Sequence, residues 1–528
     1  MYYAIIILIT LIKTALFMAG VGADIWELAP YTLRLWGNYA FYTLLLWSPL
    51  LYSNRRRWTY LVCILLDIWL IGNLVYFRSY GDFLNRWCLL NTGNMAGLWG
   101  AVLPFLRYSD LGFIAATVVW VICSEWRSPG EWLSRGKQCL LAFVILLLSC
   151  LPQAVSSLQT AAPINPFSRY YADVSMGRYW YIHTFGPLAH FGNELLNLTF
   201  RREESAVPVS QQEIQPFLMP KDTTAEQTAN LLFVFFESWE YWTVGLKVGG
   251  EEVTPNINRL ITHPSTSCYP MRAQVKEGKS SDAQLIAFCG LLPVYNGAVS
   301  MRYPTNIYPA WVRASHARTK QLFTPCEPTM WNQALLASSW GFDSLYAEEV
   351  SDLELSRRVC HSVLSSPPHW LIAMTTMGSH SPFMTYADSA SLPRQTDYTQ
   401  EQQRYLQCVH YTDSALGQIL EQILSDSVLS ATTRIVITGD HPIFEIDRPV
   451  PFVIYDPLTP PEEPGHDLNQ ADIYAVITKR TGIATGWKGL GQAITDSAQV
   501  QENELFSLSD RIIRTDYFRH SPVCRDDE

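Results

Sequence analysis

An α/β domain of the doubly wound kind, behind a bundle of five membrane-spanning helices, is the fold class this sequence predicts. Three observations predict it. Apolar runs crowd the first 155 of the 528 residues. Beyond residue 230, short unbroken apolar runs alternate with helix-patterned stretches, as in sheets whose strands are buried on both faces. Polar, potentially metal-binding residues end two of those runs, where open α/β sheets hold their ligands.

A spanning helix needs about 20 mostly apolar residues. Five segments meet or approach this: Tyr2–Gly20, Leu33–Tyr52, Trp58–Phe77, Leu111–Trp126 and Gln138–Val155. The first does not read as a cleavable signal peptide, because its amino end lacks a basic region and another apolar span soon follows. Lys and Arg in short loops set the orientation. Arg55, Arg56 and Arg57 fall on the same side as Arg127, Arg135 and Lys137, so that side is expected to be cytoplasmic. The chain then starts inside and leaves the fifth span outside. The opposing loop spreads Arg78, Arg86 and Arg107 more thinly. Its Trp87, Leu89, Leu90 and Trp99 suit a segment lying along the outer interface. Lys13 and Asp67 fall inside spans, where an ionisable group is a functional candidate. Snorkelling toward the headgroups is the plainer expectation for Lys13.

Residues 1–155 are thus expected to be transmembrane, 156–225 a juxtamembrane linker and 226–528 an extracytoplasmic α/β domain. In the linker, Arg169–Tyr171 and Tyr179–His183 are aromatic, as befits a segment on the headgroups. Glu203–Thr224 is polar, with Pro208, Pro216 and Pro220. The charge follows the same division. Residues 1–155 hold 11 Lys+Arg against 7 Asp+Glu, or +4; the whole chain is −10, which leaves −14 for the remainder. So acidic a remainder argues against a nucleic-acid partner. Of the 11 cysteines, five lie in the membrane half as small apolar fillers. The other six (Cys268, Cys289, Cys326, Cys360, Cys408, Cys524) include no C-x-x-C pair, which disfavours a zinc ribbon and leaves room for up to three disulfides in an oxidising compartment.

The soluble elements follow in order. Leu231–Phe236 is an unbroken apolar run ending in Glu237; Trp370–Met374 and Arg434–Thr438 are two more, the latter leading into Gly439-Asp440-His441; Pro451–Tyr455 is a fourth. Ser281–Leu291 and Arg404–Leu424 carry helix patterns between them. Glu237, Asp440 and His441 together make a suitable set for a divalent cation, although a Glu after a strand is often a cap and Gly-Asp-His can be a plain turn. Within Gly278-Lys279-Ser280-Ser281-Asp282-Ala283-Gln284, Ser281 and Gln284 fit a capping box. Ser280 would then stand just before the helix, facing free N–H groups and a dipole suited to phosphate.

These pieces, in this order, resemble the lipoteichoic acid synthase group of the alkaline phosphatase and sulfatase superfamily, and less closely the phosphoethanolamine transferases. The resemblance rests on the strand ending in Glu237, Thr254-Pro255-Asn256, Gly278–Asp282, Leu291-Leu292-Pro293, Met330-Trp331-Asn332, Gly341-Phe342-Asp343, Gly378–Phe383, Gly439–His441 and Gln470-Ala471-Asp472. It extends to five spans followed by an outer domain. It implies one divalent metal, Mn²⁺ first with Mg²⁺ or Zn²⁺ as alternatives, held by Glu237, Asp440, His441 and the nucleophile Ser280. It implies Trp331, Asn332 and His380 at the headgroup, with His380 also a candidate acid or base. The group commonly has Thr where Ser280 stands and often Arg where Gln333 stands, and loss of that Arg removes a bidentate phosphate clamp.

The function implied is a plasma-membrane, multi-pass phosphotransferase. It would move phosphoglycerol from a membrane phospholipid to an envelope lipid or glycan through a covalent Ser280 intermediate. Phosphoethanolamine transfer and hydrolysis are the alternatives, and a membrane-anchored binding or sensor module is the non-catalytic one. A sulfatase is set aside, because Lys279–Ala283 lacks the Pro and Arg of C/S-x-P-x-R. Acceptor and oligomeric state are left open by the sequence.

Overall fold

The computed structural model describes residues 2–23, 30–53, 56–80, 83–86, 88, 105–125, 143–144, 177–199, 207–219, 226–381, 383, 392–394, 397–445, 447–491, 499–521 and 523. The described residues fall into two compact units, one up to residue 199 and one from residue 207 on.

The first unit is helical: α1 (Tyr2–Gly20), α2 (Pro30–Ser53), α3 (Arg56–Tyr80), α4 (Leu111–Glu125), α5 (Gly177–Phe185) and α6 (Pro187–Thr199). Four of the five segments expected to span are helical, as α1 to α4. The fifth, Gln138–Val155, lies almost wholly outside the described residues, as do Trp87, Leu89, Leu90 and Trp99. Among the described residues one helix, Trp58–Arg78, is long and apolar enough to cross a membrane, and Ile5–Gly20 and Tyr108–Cys123 are shorter apolar helices. Exposed Leu8, Ile12 and Leu16 on α1, and Leu61, Ile64, Leu65 and Ile68 on α3, form apolar outer stripes at helical spacing.

Two expectations are corrected here. Lys13 does not snorkel. It is buried, ion-paired with Asp67 and hydrogen-bonded to Thr117, which also bonds Asp67. Pairing is cheaper than a bare charge among apolar helices. Nor are residues 177–199, in the described part of the expected linker, a plain connector. Tyr181, Ile182, Phe185, Leu188 and Ala189 of α5 and α6 are buried with α1–α3. Asn38 Nδ2 donates to the Thr184 carbonyl at 2.8 Å and the Tyr39 hydroxyl to that of His183 at 2.6 Å. Tyr179, Tyr181 and Phe185 are packing surface, whereas Arg169–Tyr171 lies outside the described residues.

The second unit is built on an eight-stranded sheet. Its strands are β1 (Asn230–Phe236), β4 (Thr266–Arg272), β5 (Thr319–Thr324), β6 (Ser344–Ala347), β7 (Trp370–Thr375), β8 (Thr433–Gly439), β9 (Val450–Tyr455) and β10 (Leu468–Asn469); β2 (Lys247–Val248) and β3 (Glu251–Glu252) form a separate hairpin. The order is β10-β4-β9-β8-β1-β7-β5-β6. The sheet is mixed, because β9 runs antiparallel to both β8 and β4. Its apolar run resembles those of the parallel strands because it too is fully buried.

Helices α7 (Pro255–Ile261), α8 (Ser280–Cys289), α9 (Gln333–Trp340), α10 (Asp352–Ser365), α11 (Gln400–Ser425), α12 (Asp472–Thr481) and α13 (Gln499–Arg514) cover both faces. Along β1, Leu231, Phe233 and Phe235 pack with α8, α12 and α13, while Leu232, Val234 and Phe236 pack with α7, α10 and α11. Two dry faces at period 2 explain the unbroken apolar run. The doubly wound layering holds. Five cysteines described in this unit, Cys268, Cys289, Cys326, Cys360 and Cys408, are free thiols; Cys524 lies outside the described residues.

Candidate metal centre and nucleophile

Strands β1 and β8 are neighbours in parallel register, Phe236 opposite Gly439, so the residues that follow them emerge side by side. Glu237 leaves β1; Asp440 and His441 leave β8. All three are buried, and their ligand atoms lie within 4.8 Å of one another. A side chain at residue 439 would put its Cβ 2.2 Å from the Trp239 carbonyl oxygen, so only glycine lets the two strand ends approach this closely.

Ser238, in a left-handed conformation (φ 52°), ties both carboxylates. Its hydroxyl donates to Glu237 Oε1 at 2.6 Å and its N–H to Asp440 Oδ1 at 2.7 Å. The His441 N–H donates to the same Oδ1 at 2.7 Å. Thr376, just past β7, accepts the Glu237 N–H at 3.0 Å, and the Ser379 hydroxyl donates to the Glu237 carbonyl. Gln470 Nε2 donates to the Asp440 carbonyl at 2.6 Å.

The residues fit a cation. His441 Nδ1 lies 3.1 Å from the Pro442 carbonyl and so carries the proton, which leaves the Nε2 lone pair free. Nε2 stands 3.6 Å from Glu237 Oε1 and 3.7 Å from Asp440 Oδ2, too far for hydrogen bonds. Burial, then the charge of Asp440, pushes the Glu237 carboxyl well above its ordinary range. Burial pushes His441 down. Two crowded carboxylates and a neutral imidazole, all aimed inward, match the donor set of a divalent ion.

Ser280 joins them. Its hydroxyl donates to Glu237 Oε2 at 3.1 Å. The local structure differs from the capping box expected. Ser280 is the first residue of α8, not the residue before it, and the N-cap is Lys279 with no side-chain cap. Ser281 instead bonds the Gly278 carbonyl at 2.8 Å and the Ser300 hydroxyl at 2.9 Å. The turn is held from within by Asp282, whose Oδ2 accepts the Lys276 and Gly278 N–H groups at 2.9 Å each. Burial raises the Asp282 carboxyl to about 7. A Cβ on Gly278 would come 2.2 Å from Asp282 Oδ1, so the turn has no room for one. The N–H groups of Ser281, Asp282 and Ala283 are taken by the Gly278 and Lys279 carbonyls. The helix start therefore offers a phosphate its dipole, but not those three donors.

His380 sits near this cluster: it feels the charge of Asp440, and His441 feels it in turn. Its Nδ1 bonds the Ser381 carbonyl, which leaves Nε2 as the atom to meet a substrate. Burial lowers its pKa, which favours the neutral, accepting form. Asn332 is linked indirectly, donating at 2.9 Å to the carbonyl of Ser300, the partner of Ser281. Trp331 and Asn332 are consecutive left-handed residues (φ 51° each), a costly pair for side-chain-bearing residues. Trp331 is half-buried, and among the described residues no hydrogen bond joins it to the metal ligands. Gln333 turns back on α8, where its Nε2 donates to Gln284 Oε1 at 3.2 Å.

Sequence reasoning missed Ser238, Thr376, Ser379 and Glu240. Glu240 accepts the Ile443 and Phe444 N–H groups at 2.8 and 2.9 Å and so fixes the segment after His441. Only proximity to the motifs could have flagged them.

Comparison with known proteins follows the same division. Residues 1–181 match the lipoteichoic acid synthase N-terminal domain and residues 229–482 the sulfatase domain. A lipoteichoic acid synthase of Staphylococcus saprophyticus is 21% identical over 77% of this chain and 67% of its own length. A lipoteichoic acid synthase-like protein of Bacillus subtilis is 22% identical over 74% of this chain and 66% of its own length. The chain thus spans about two thirds of these relatives. Among solved structures, the integral membrane lipooligosaccharide phosphoethanolamine transferase A of Neisseria meningitidis is similar in fold, with a TM-score of 0.55 at 12% identity. That match covers 92% of this chain and 96% of the other.

Proposed function

We propose, for a chain that belongs to the lipoteichoic acid synthase-like group of the alkaline phosphatase and sulfatase superfamily, a metal-dependent phosphotransferase that moves the phosphoglycerol headgroup of a membrane phospholipid to an envelope lipid or glycan hydroxyl. One observation carries the reading: an alcohol, Ser280, opens a helix and bonds Glu237 within a buried Glu-Asp-His cluster. A serine is a weak nucleophile at its free pKa and needs such a neighbour. The relatives are named as lipoteichoic acid synthases, which supports the donor and the class of acceptor.

Glu237, Asp440, His441 and Ser280 would hold the divalent ion, Mn²⁺ in the first instance. Bound there, it would acidify the Ser280 hydroxyl and neutralise phosphoryl oxygens. Ser280 Oγ attacks the phosphodiester phosphorus and loses its proton. The bond from phosphorus to the diacylglycerol oxygen breaks, and that oxygen leaves protonated. Glycerol phosphate remains esterified to Ser280. An acceptor hydroxyl then attacks the same phosphorus, frees Ser280 and gives up its proton. His380 Nε2, neutral and accepting, is suited to take a proton or bond the headgroup, and Trp331 and Asn332 would line the headgroup side.

The five spans read from the sequence would anchor the enzyme in the plasma membrane with the sheet domain outside. The lipid-like outer faces of α1 and α3 support the anchoring. The test is incubation of the full chain, with Mn²⁺, in vesicles of phosphatidylglycerol or of phosphatidylethanolamine, without acceptor. Mass spectrometry should find glycerol phosphate on the Gly278–Asp282 peptide and diacylglycerol released. Ser280→Ala should give neither, and Ser280→Thr should keep some activity. An adduct from phosphatidylethanolamine alone would replace the donor. Full turnover by Ser280→Ala would overturn the mechanism.

A further inference from the structure

We propose that Asp352 is a positioning residue for phosphotransfer: its buried carboxylate sets the turn that aims His380 at the substrate. The inference rests on the phosphotransferase reading above.

Asp352 is the first residue of α10 and is 1% exposed. A carboxylate is costly to bury unless donors surround it. Three converge on this one. The Met377 N–H donates to Oδ1 at 2.8 Å, the Gly378 N–H to Oδ2 at 2.8 Å, and the Thr412 hydroxyl of α11 to Oδ2 at 2.9 Å. Each oxygen takes one of two consecutive N–H groups, which fixes the turn in rotation as well as in place. Gly378 has no slack against this grip. A Cβ there would come 2.5 Å from Asp352 Oδ2 and 2.5 Å from Thr412 Oγ1.

The turn so held carries His380. The His380 N–H donates to the Met377 carbonyl at 3.0 Å, so the residue that Asp352 grips also closes the turn. On its other side the turn is tied to β1 and to the residue after it. The Thr376 N–H donates to the Phe235 carbonyl at 3.0 Å, and the Ser379 hydroxyl to the Glu237 carbonyl. Just beyond, buried Phe383 meets the Tyr405 ring edge-on at 5.3 Å. His380 Nδ1 is taken by the Ser381 carbonyl, so Nε2 is what the ring presents. Where Nε2 points is then set by the backbone from 377 to 380. A neutral acceptor would satisfy two loop N–H groups at lower desolvation cost; a buried carboxylate on a helix adds two-point precision. Such precision matters at a reacting group, where a displacement of about 1 Å can cost about 100-fold in rate.

The experiment uses the Mn²⁺-loaded full chain and its Asp352→Asn, Gly378→Ala and His380→Ala variants. The first two are also combined with His380→Ala. Asp413→Asn is the control, since Asp413 is an equally buried carboxylate that takes the consecutive N–H groups of Asn256 and Ile257, at 3.0 Å each, at the start of α7. Asn at 352 turns one acceptor into a donor that faces an N–H group. Ala at 378 pushes the turn off an intact carboxylate. Both should slow turnover of phosphatidylglycerol in vesicles about 100-fold. Both should weaken the binding of inorganic phosphate, titrated by calorimetry, about tenfold. Mn²⁺ affinity should stay near that of wild type, because this segment bonds only the Glu237 main chain, while Ser238 and Ser280 bond its carboxylate. Added to His380→Ala, neither change should cost anything further, because the group it aims is gone. Asp413→Asn should melt lower than wild type and keep its rate. A merely structural Asp352 would lose Mn²⁺ and rate together and add its effect to that of His380→Ala. That additivity would overturn the proposal, as would wild-type turnover and phosphate affinity in both Asp352→Asn and Gly378→Ala. So would wild-type phosphate affinity in His380→Ala, which would leave no group to position. Absence of any Ser280 adduct in the wild-type protein would count against the transferase reading instead, and the phosphate titrations would still decide the role of Asp352.

Discussion

Gly439→Ala isolates the geometry of the metal centre from its chemistry, since no ligand is changed. The added Cβ would lie 2.2 Å from the Trp239 carbonyl oxygen, 2.9 Å from Val450 Cβ and 3.2 Å from Pro451 Cδ. A comfortable carbon–oxygen contact is about 3.3 Å, so the neighbours must retreat by about 1 Å. None is the free end of a flexible side chain: one is backbone and two belong to β9. Trp239 follows Glu237 by two residues, and Asp440 follows residue 439 directly. The push therefore parts the two strand ends at the ligands themselves. Metal–ligand distances tolerate only about 0.2 Å. Overpacking of this kind costs about 1–3 kcal/mol, which a sheet buried on both faces should survive. The expected result is a folded protein, by circular dichroism, with Mn²⁺ affinity lowered about tenfold or more, as when a ligand's supporting partner is removed. Asp440→Asn serves as the control for direct ligand loss. Wild-type Mn²⁺ affinity in Gly439→Ala would refute the claim that this glycine sets the ligand spacing.

Ser281→Ala should lose about 1–3 kcal/mol of stability, because it leaves the buried Ser300 hydroxyl short of a partner, yet the Ser280 adduct should still form; an adduct lost with the fold intact would move the nucleophile by one residue. Lys13→Met should destabilise the helical unit by about 3–5 kcal/mol, since it strands Asp67 among apolar helices. The double variant Lys13→Met/Asp67→Leu should recover much of that in detergent melting, and a double variant no better than the single would deny that the two charges are coupled.

The sheet domain was largely legible because each of its central strands is dry on both faces, and such runs stand out against any background. Strands β4, β5 and β6 escaped for the opposite reason. Their residues alternate or are only partly covered, as in Thr319–Gln321 and the Thr266–Arg272 segment with its proline. The direction of β9 was not readable, since burial leaves the same trace in either orientation. Glu237, Asp440, His441 and Ser280 were found from their places after strands and before a helix. What held them was hidden, because Ser238, Thr376 and Ser379 act through a few hydrogen bonds that leave no periodicity. The capping box misled because Ser281 and Gln284 have the spacing, whereas Asp282 reaches back over the turn and takes the N–H groups first.

The position of β1 has a consequence for how the domain is made. It is the first long strand of its unit to be synthesised, and it ends at the centre of the sheet between β7 and β8. Those partners arrive more than 130 residues later in the chain. Until residue 375 has been polymerised, β1 has no permanent neighbour on either edge; until residue 439 has been, one edge stays open and Glu237 has no companion carboxylate. Closure of such a long loop is slow, and unpaired strands of this kind are aggregation-prone. The nascent domain therefore has to be shielded through most of its own synthesis. It gains its ion-binding capacity all at once, when β8 docks, rather than ligand by ligand.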